Sequence, residues 1–374
     1  MNAIRKIFSW RVIRYVLFLV VFTILAGELI LRIYNPFPFR LKGSDVLLPR
    51  NQRYIINNAH LPGLDSIVVL TKNNLGFRGP EMPEHADNSF SVITVGGSTT
   101  ECWNLAEKDS WPFLLGQNLA HDFAPVWLNN AGVSGHSSWA HYLLIRKYIK
   151  QLHPKVIFML VGWNEVNRAD LVDVDDMDRS HYVGVKDFLG KTSELYNLVV
   201  NIKRHYRYEE YGEIKDPRYL ITRDHALVFK SSAYNDSVMR AERPLISLYK
   251  KRLHAIIDTC RSNGILPVLI TQPGILGNGI EPETGCNLND YKVSDVFPGK
   301  LFSDVLKMYN KTTMETAREK GVFCVDLANL LPADITNYYD ICHYNKPGCK
   351  TVAQIIYGQS IDYLRQHFPG YLKQ

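Results

Sequence analysis

No two of the six cysteines (Cys102, Cys260, Cys286, Cys324, Cys342 and Cys349) are spaced Cys-x-x-Cys, so the chain carries no zinc motif. There is no dense basic stripe interleaved with aromatics, and a net charge of +6 is small for 374 residues. Nucleic acid is therefore not an expected partner. The acidic cluster Asp170, Asp173, Asp175, Asp176 and Asp178 lacks the glycine and the closing glutamate of a calcium loop, and reads as a solvated loop. Low complexity is also missing. Hydrophobic residues make up 46% and charged residues 21%, the balance of a globular protein with a sizeable core.

One long apolar run is present, and it stands at the amino terminus. Arg5, Lys6, Arg11 and Arg14 precede an almost unbroken apolar stretch from Tyr15 to Leu31, and Arg32 closes it. That length is close to the minimum for crossing a bilayer, about 17 residues. The leading cations place the amino terminus in the cytoplasm and the remainder on the extracytoplasmic (periplasmic) side. A cleaved signal peptide and a buried core helix are the competing readings. Glu28, near the outer end, is expected to lean toward the interface or to pair with Arg32 one turn later. Three regions follow: an anchor over residues 1–34, a proline-punctuated stem over 35–85 with one strand-like run at 66–70, and a domain over 86–370.

Within that domain, apolar strand-like runs alternate with helical patterns. The runs are Ser91–Val95, Val126–Asn130, Val156–Val161, Ile265–Thr271 and Val322–Asp326. Five such runs predict a parallel sheet with helices on both faces. Pro244 is read as opening one of those helices. The pattern lapses over 166–241, a polar, tyrosine-rich insertion that reads as a lid, a substrate-selecting cap or a surface excursion.

Right-handed crossovers bring every strand's carboxyl end to one rim. Ser98, Gly132, Asn164 and Gln272 each follow a strand at that rim, and His343 lies in the loop after the last one. Val95-Gly96-Gly97-Ser98-Thr99-Thr100 is a strand followed by a glycine turn and a serine. It is not a Gly-x-Ser-x-Gly elbow, because Thr100 stands where the last glycine belongs. A serine needs a base to act as nucleophile, and His343 is the candidate. Asp340, three residues earlier, is placed to fix the imidazole tautomer. The N–H groups of Ser98 and Gly132 and the amide of Asn164 are candidate oxyanion donors, and Gln272 is a candidate substrate contact. Of the cysteines, the loop-borne Cys286, Cys342 and Cys349 are the expected ones to pair in an oxidising compartment.

Four blocks occur in order: Gly-Gly-Ser98, Asn130-Ala131-Gly132, Gly162-Trp163-Asn164-Glu165 and Asp340-Ile341-Cys342-His343. Together they resemble the SGNH (GDSL-type) hydrolase superfamily over roughly residues 88–366. The resemblance implies a flavodoxin-like three-layer α/β/α sandwich around a five-stranded parallel sheet. It implies ester hydrolysis without metal or cofactor: Ser98 as nucleophile, His343 as base, Asp340 as its orienter, and Gly132 and Asn164 as donors. Gly97 stands where the family has Asp, and Glu165 where it has a second Asp. The membrane-tethered layout is similar to bacterial members that act on acyl esters of envelope polysaccharides. The expected substrate is thus a small or glycan acyl ester, such as an O-acetyl ester. Transfer of the acyl group to a sugar hydroxyl is one alternative, and an inactive glycan-binding scaffold is another.

Overall fold

The computed structural model describes residues 10–34, 41–42, 45–61, 63–166, 185–211 and 220–373. In chain order its main elements begin with α1 (Trp10–Ile33), β1 (Gln52–Asn57), β2 (Ile67–Lys72), β3 (Phe90–Gly96), α2 (Ser98–Glu101), α3 (Trp111–Leu119), β4 (Val126–Asn130), α4 (Ser138–Lys147) and β5 (Val156–Val161). There follow α5 (Val185–Thr192), α6 (Glu194–Tyr211), α7 (Ser232–Ser262), β6 (Leu266–Thr271), α8 (Gly299–Lys320), β7 (Phe323–Val325) and α9 (Lys346–His367). These elements form two compact units. One comprises Met1–Leu47 with Asp176–Glu213, and the other Leu48–Asp175 with Ile214–Gln374. The acidic cluster at 170–178 lies outside the described residues.

The larger unit is built on a parallel sheet in the order β4-β3-β5-β6-β7. Counted within the sheet this is 2-1-3-4-5, the flavodoxin-like order. Every residue of β3 and β5 is buried, as central parallel strands covered on both faces must be. The register pairs Val92 with both Leu128 and Val156, and Leu160 with Ile270. Helices α3 and α9 pack together, as do α4, α7 and α8. The strand ends point to one rim, where the sheet's first crossover changes direction and leaves a crevice.

Two expectations are corrected. Helix α7 does not open at Pro244 but at Ser232, where the Ser231 side chain accepts a bond from the Tyr234 N–H (3.2 Å). Pro244 lies inside the helix and removes one internal bond. Buried bonds from α8 hold both halves in line: Tyr309 to Glu242 (2.8 Å) before the proline, and Tyr249 with Thr313 (2.7 Å) after it. The stem contains a hairpin rather than one strand. β1 and β2 pair antiparallel from Gln52–Lys72 to Asn57–Ile67. In β2, Val68, Leu70 and Lys72 point inward and the alternate residues outward. Ile56, Val68 and Leu70 form a small core closed by Tyr54, Trp103 and Ala106.

The smaller unit contains α1, a 24-residue apolar helix with the length and composition to cross a membrane.

Candidate active site

The site begins where β3 ends. Gly97 is the N-cap of the short helix α2, and Ser98 is its first residue. A Cβ on Gly97 would lie 2.6 Å from the Asn164 amide nitrogen, so glycine is what allows that amide to sit against the nucleophile turn.

A continuous line of hydrogen bonds runs through the rim. Ser98 Oγ is 2.8 Å from His343 Nε2, and His343 Nδ1 is 2.6 Å from Asp340 Oδ2. The other Asp340 oxygen accepts the backbone N–H groups of Cys342 (2.9 Å) and His343 (2.7 Å). This turn fixes the carboxylate before the imidazole is placed. The pattern assigns the proton to Nδ1, leaving Nε2 to accept from the serine. Tyr339 stacks on the His343 ring, 5.6 Å between centroids and 13° from parallel. Ser98, Asp340 and His343 are all buried, which strengthens each electrostatic contact.

Among the described residues, Asp340, Cys342 and His343 form a group whose ligand atoms are close enough for a metal ion. The geometry does not favour such a site, because Asp340 and His343 are already bonded to each other. Burial, then the Asp340 charge, pushes the Cys342 thiol well above its usual range, so it stays protonated and is a poor ligand.

The donor side is less complete. The Ser98 N–H opens α2, at a position with no partner within the helix. The Asn164 amide gives one hydrogen to the His136 carbonyl (2.9 Å) and retains a second. Gly132 departs from expectation: its N–H is committed to the Asn130 side chain (2.8 Å). Its role is close approach, since a Cβ there would lie 2.4 Å from the Glu101 nitrogen. In the same loop Gly135 has φ +79°, and a built Cβ would meet nothing within 4 Å. Its backbone angle, not crowding, is what calls for glycine.

Gln272 lines the cleft, yet its side chain is spent on the scaffold. Its oxygen accepts from Thr99 Oγ1 (3.1 Å), and its nitrogen donates to the Pro273 carbonyl (3.0 Å). Glu165, the family's second departure, accepts the Ser138 N–H (2.5 Å) at the start of α4. A carboxylate suits that helix terminus.

Sequence reasoning missed two cations supplied by the stem. Lys72 is buried and 2.7 Å from Glu101, whose other oxygen accepts from both N and Oγ of Ser134 (2.7 Å each). Burial raises the Glu101 pKa, but Lys72 and the Ser134 bonds outweigh it and hold the carboxyl at about 2. Arg78, also buried, donates to the carbonyls of Glu101 (2.5 Å), Cys102 (2.7 Å) and Leu105 (2.9 Å). It satisfies the carboxyl end of the nucleophile helix. The only available signal was a lysine on the inward register of β2.

The expected cysteine pairing is also corrected. All six cysteines are free, and Cys349 has its sulfur contact with Cys102 (3.9 Å), not with Cys286 or Cys342.

Two small clefts flank the serine. One of about 250 Å³ is lined by Ser98, His136, His141, Trp163, Asn164 and Gln272, among others. The other, about 180 Å³, lies between Ser98, Cys102, Leu105, Tyr339, His343 and Tyr344.

The model of the GDSL-like lipase/acylhydrolase family matches residues 94–350. A search of curated proteins finds no match. Solved structures similar to this chain include the psychrotrophic esterase EstA from Pseudoalteromonas sp. (11% identity, 74% of this chain, 99% of that chain, TM-score 0.40). An acetylxylan esterase from Geobacillus stearothermophilus (11%, 72% and 94%, TM-score 0.41) and an α/β hydrolase from the metagenome of Lake Arreo, Spain (15%, 73% and 95%, TM-score 0.42) are also similar. With its match over more than half of its length, its fold and its ordered blocks, the chain belongs to the GDSL-like lipase/acylhydrolase family of ester hydrolases.

Proposed function

We propose that this chain is a serine esterase that cleaves a short acyl ester, such as an acetyl ester of an envelope carbohydrate, through an acyl-serine. The observation that carries the reading is the unbroken Ser98–His343–Asp340 line of hydrogen bonds. In the first step Ser98 Oγ attacks the ester carbonyl while His343 Nε2 takes its proton. Asp340 steadies the imidazolium through Nδ1. The oxyanion is met by the Ser98 N–H and the free hydrogen of the Asn164 amide. Collapse breaks the ester C–O bond, and His343 returns the proton to the departing alcohol. Water then attacks the acyl-serine with His343 again as base, and the carboxylic acid leaves.

The lining of the clefts supports a short acyl group. Hydroxyl, imidazole and amide groups dominate the larger one, where a long acyl chain would need a sizeable apolar channel. A polyhydroxy alcohol suits the same lining. The anchor reading places the reaction outside the cytoplasm, beside the membrane, with Arg11 and Arg14 inside.

The test is acetate release from an aryl acetate by the full chain in mild detergent, beside Ser98→Ala. Loss of activity in the variant supports the reading, and equal activity in both contradicts it. Addition of a sugar acceptor separates hydrolysis from acyl transfer, since transfer yields an acylated sugar in place of free acetate.

A further inference from the structure

The apolar helix α1 carries one acidic residue near its outer end. Glu28 lies five residues before Ile33, roughly 7.5 Å along the helix axis at 1.5 Å per residue. In hydrocarbon such a carboxylate is costly unless it has partners. Here it has four hydrogen bonds, three of them from the insertion. Ser193 Oγ donates at 2.9 Å, and the backbone N–H groups of Glu194 and Leu195 donate at 2.9 and 3.2 Å. Arg32 adds its Nε at 3.0 Å and also donates to the Thr192 carbonyl. Ser193 is the N-cap of α6, its Oγ accepting the Tyr196 N–H (3.2 Å), and Glu28 completes that cap from another helix by accepting the first two N–H groups and facing the helix dipole. Gly27 faces the Leu195 side chain, where a Cβ would come within 3.4 Å, close to an ordinary contact.

This fixes the start of α6 at the depth of Glu28. On either side of that junction lie exposed apolar side chains: Val185 and Phe188 on α5, and Val199 and Ile202 on α6. The anchor's own Leu25, Leu29 and Ile30 are equally exposed around the same level. Exposed apolar side chains thus lie on all three helices that meet at Glu28, and a bilayer around α1 would cover them together.

We infer that α5 and α6 are a second membrane-seated element, lying in the outer interfacial layer of the bilayer and held there by Glu28. The occupant of the exposed face is lipid, not another protein. The insertion follows the Asn164 block directly in sequence, so the chain would be tied to the membrane at two points rather than one. The inference rests on the anchor reading and is independent of the chemistry at Ser98.

The test uses the full chain reconstituted in phosphatidylethanolamine–phosphatidylglycerol vesicles. A bimane label is placed at Phe188→Cys or Val199→Cys, with Leu29→Cys as the lipid-facing reference and unsubstituted protein as the blank for native thiols. Doxyl-labelled lipid should quench both new labels as strongly as it quenches Leu29, while aqueous iodide should not. Protein that floats with the vesicles but has labels quenched only by iodide overturns the inference and spares the anchor. Labels shielded from both quenchers mean a protein cover and overturn it as well. Failure to float removes the anchor reading and the inference together. As a second readout, Glu28→Ala should speed amide exchange at Glu194 and Leu195 on the order of tenfold, with Glu28→Gln intermediate. Unchanged exchange would contradict the capping role.

Discussion

The two sides of the candidate catalytic rim are finished to different degrees. On the acid–base side, every polar atom is matched: serine to imidazole, imidazole to carboxylate, carboxylate to two backbone amides. On the donor side, Asn164 gives one hydrogen to His136, and Gly132 is wholly committed to Asn130. A proton relay works only if its members are already aligned. A donor pocket needs spare hydrogens, and holds them in place by bonding the rest of each group to the scaffold. Both sides share a support, since Lys72 holds Glu101, the last residue of the helix that Ser98 opens.

The largest effect that would break this contrast is on the relay. Ser98→Ala or His343→Ala should lower kcat by at least about a thousandfold, with little change in the melting temperature, as read by aryl acetate turnover and calorimetry. Next comes Asn164→Ala, expected to cost on the order of 100-fold in kcat. If Asn164→Ala retained full turnover, the donor side would have to be rebuilt around other groups. Gly132→Ala should destabilise the fold, because its Cβ would strike the backbone of α2, and a lowered melting temperature would show it. An unchanged melting temperature would mean that the loop relaxes around the added carbon.

The support beneath the donors is tested by Lys72→Met. It leaves the Glu101 charge buried without its cation and should cost about 3–5 kcal/mol. The smallest effect is the acid response. Glu101 is held at about 2 against an ordinary 4.5. Its contribution is present above pH 4.5 and is lost as pH falls toward 2, when the folded state must also take up the proton. The stability difference between the unsubstituted chain and Glu101→Gln should therefore shrink over that window. A difference that stays constant would mean that the pair does not hold the carboxylate down.

The sheet, its parallel sense and the meeting of Ser98, His343 and Asp340 were legible because their signals are local. Val92 to Val95 is an apolar run, the glycines follow it at once, and Asp340 and His343 are three apart in one turn. Lys72 and Arg78 were not legible, since each acts on α2 from more than twenty residues away across a loop. The engagement of the Gly132 N–H by Asn130 was not legible for a related reason. A glycine after a strand signals backbone freedom or close approach, and nothing in the letters says which. Strand β1 was hidden by Gln52 and Arg53 at its exposed start, and only its partner β2 carries a clear alternation. Pro244 misled because tertiary bonds from α8 outweigh the local tendency of proline to begin a helix. Glu28 was read as leaning outward or pairing with Arg32. The pairing is present, but the contacts with Ser193, Glu194 and Leu195 come from over 160 residues away.

The central claim is that Ser98 forms a covalent acyl-enzyme. Its most direct test is to treat the full chain with an alkyl fluorophosphonate and map the adduct by peptide mass spectrometry. The account predicts one phosphonate on the peptide carrying Ser98, with parallel loss of aryl acetate turnover and no labelling of Ser98→Ala. Turnover that survives complete labelling of Ser98, or an adduct on another serine that accounts for the loss, would contradict it.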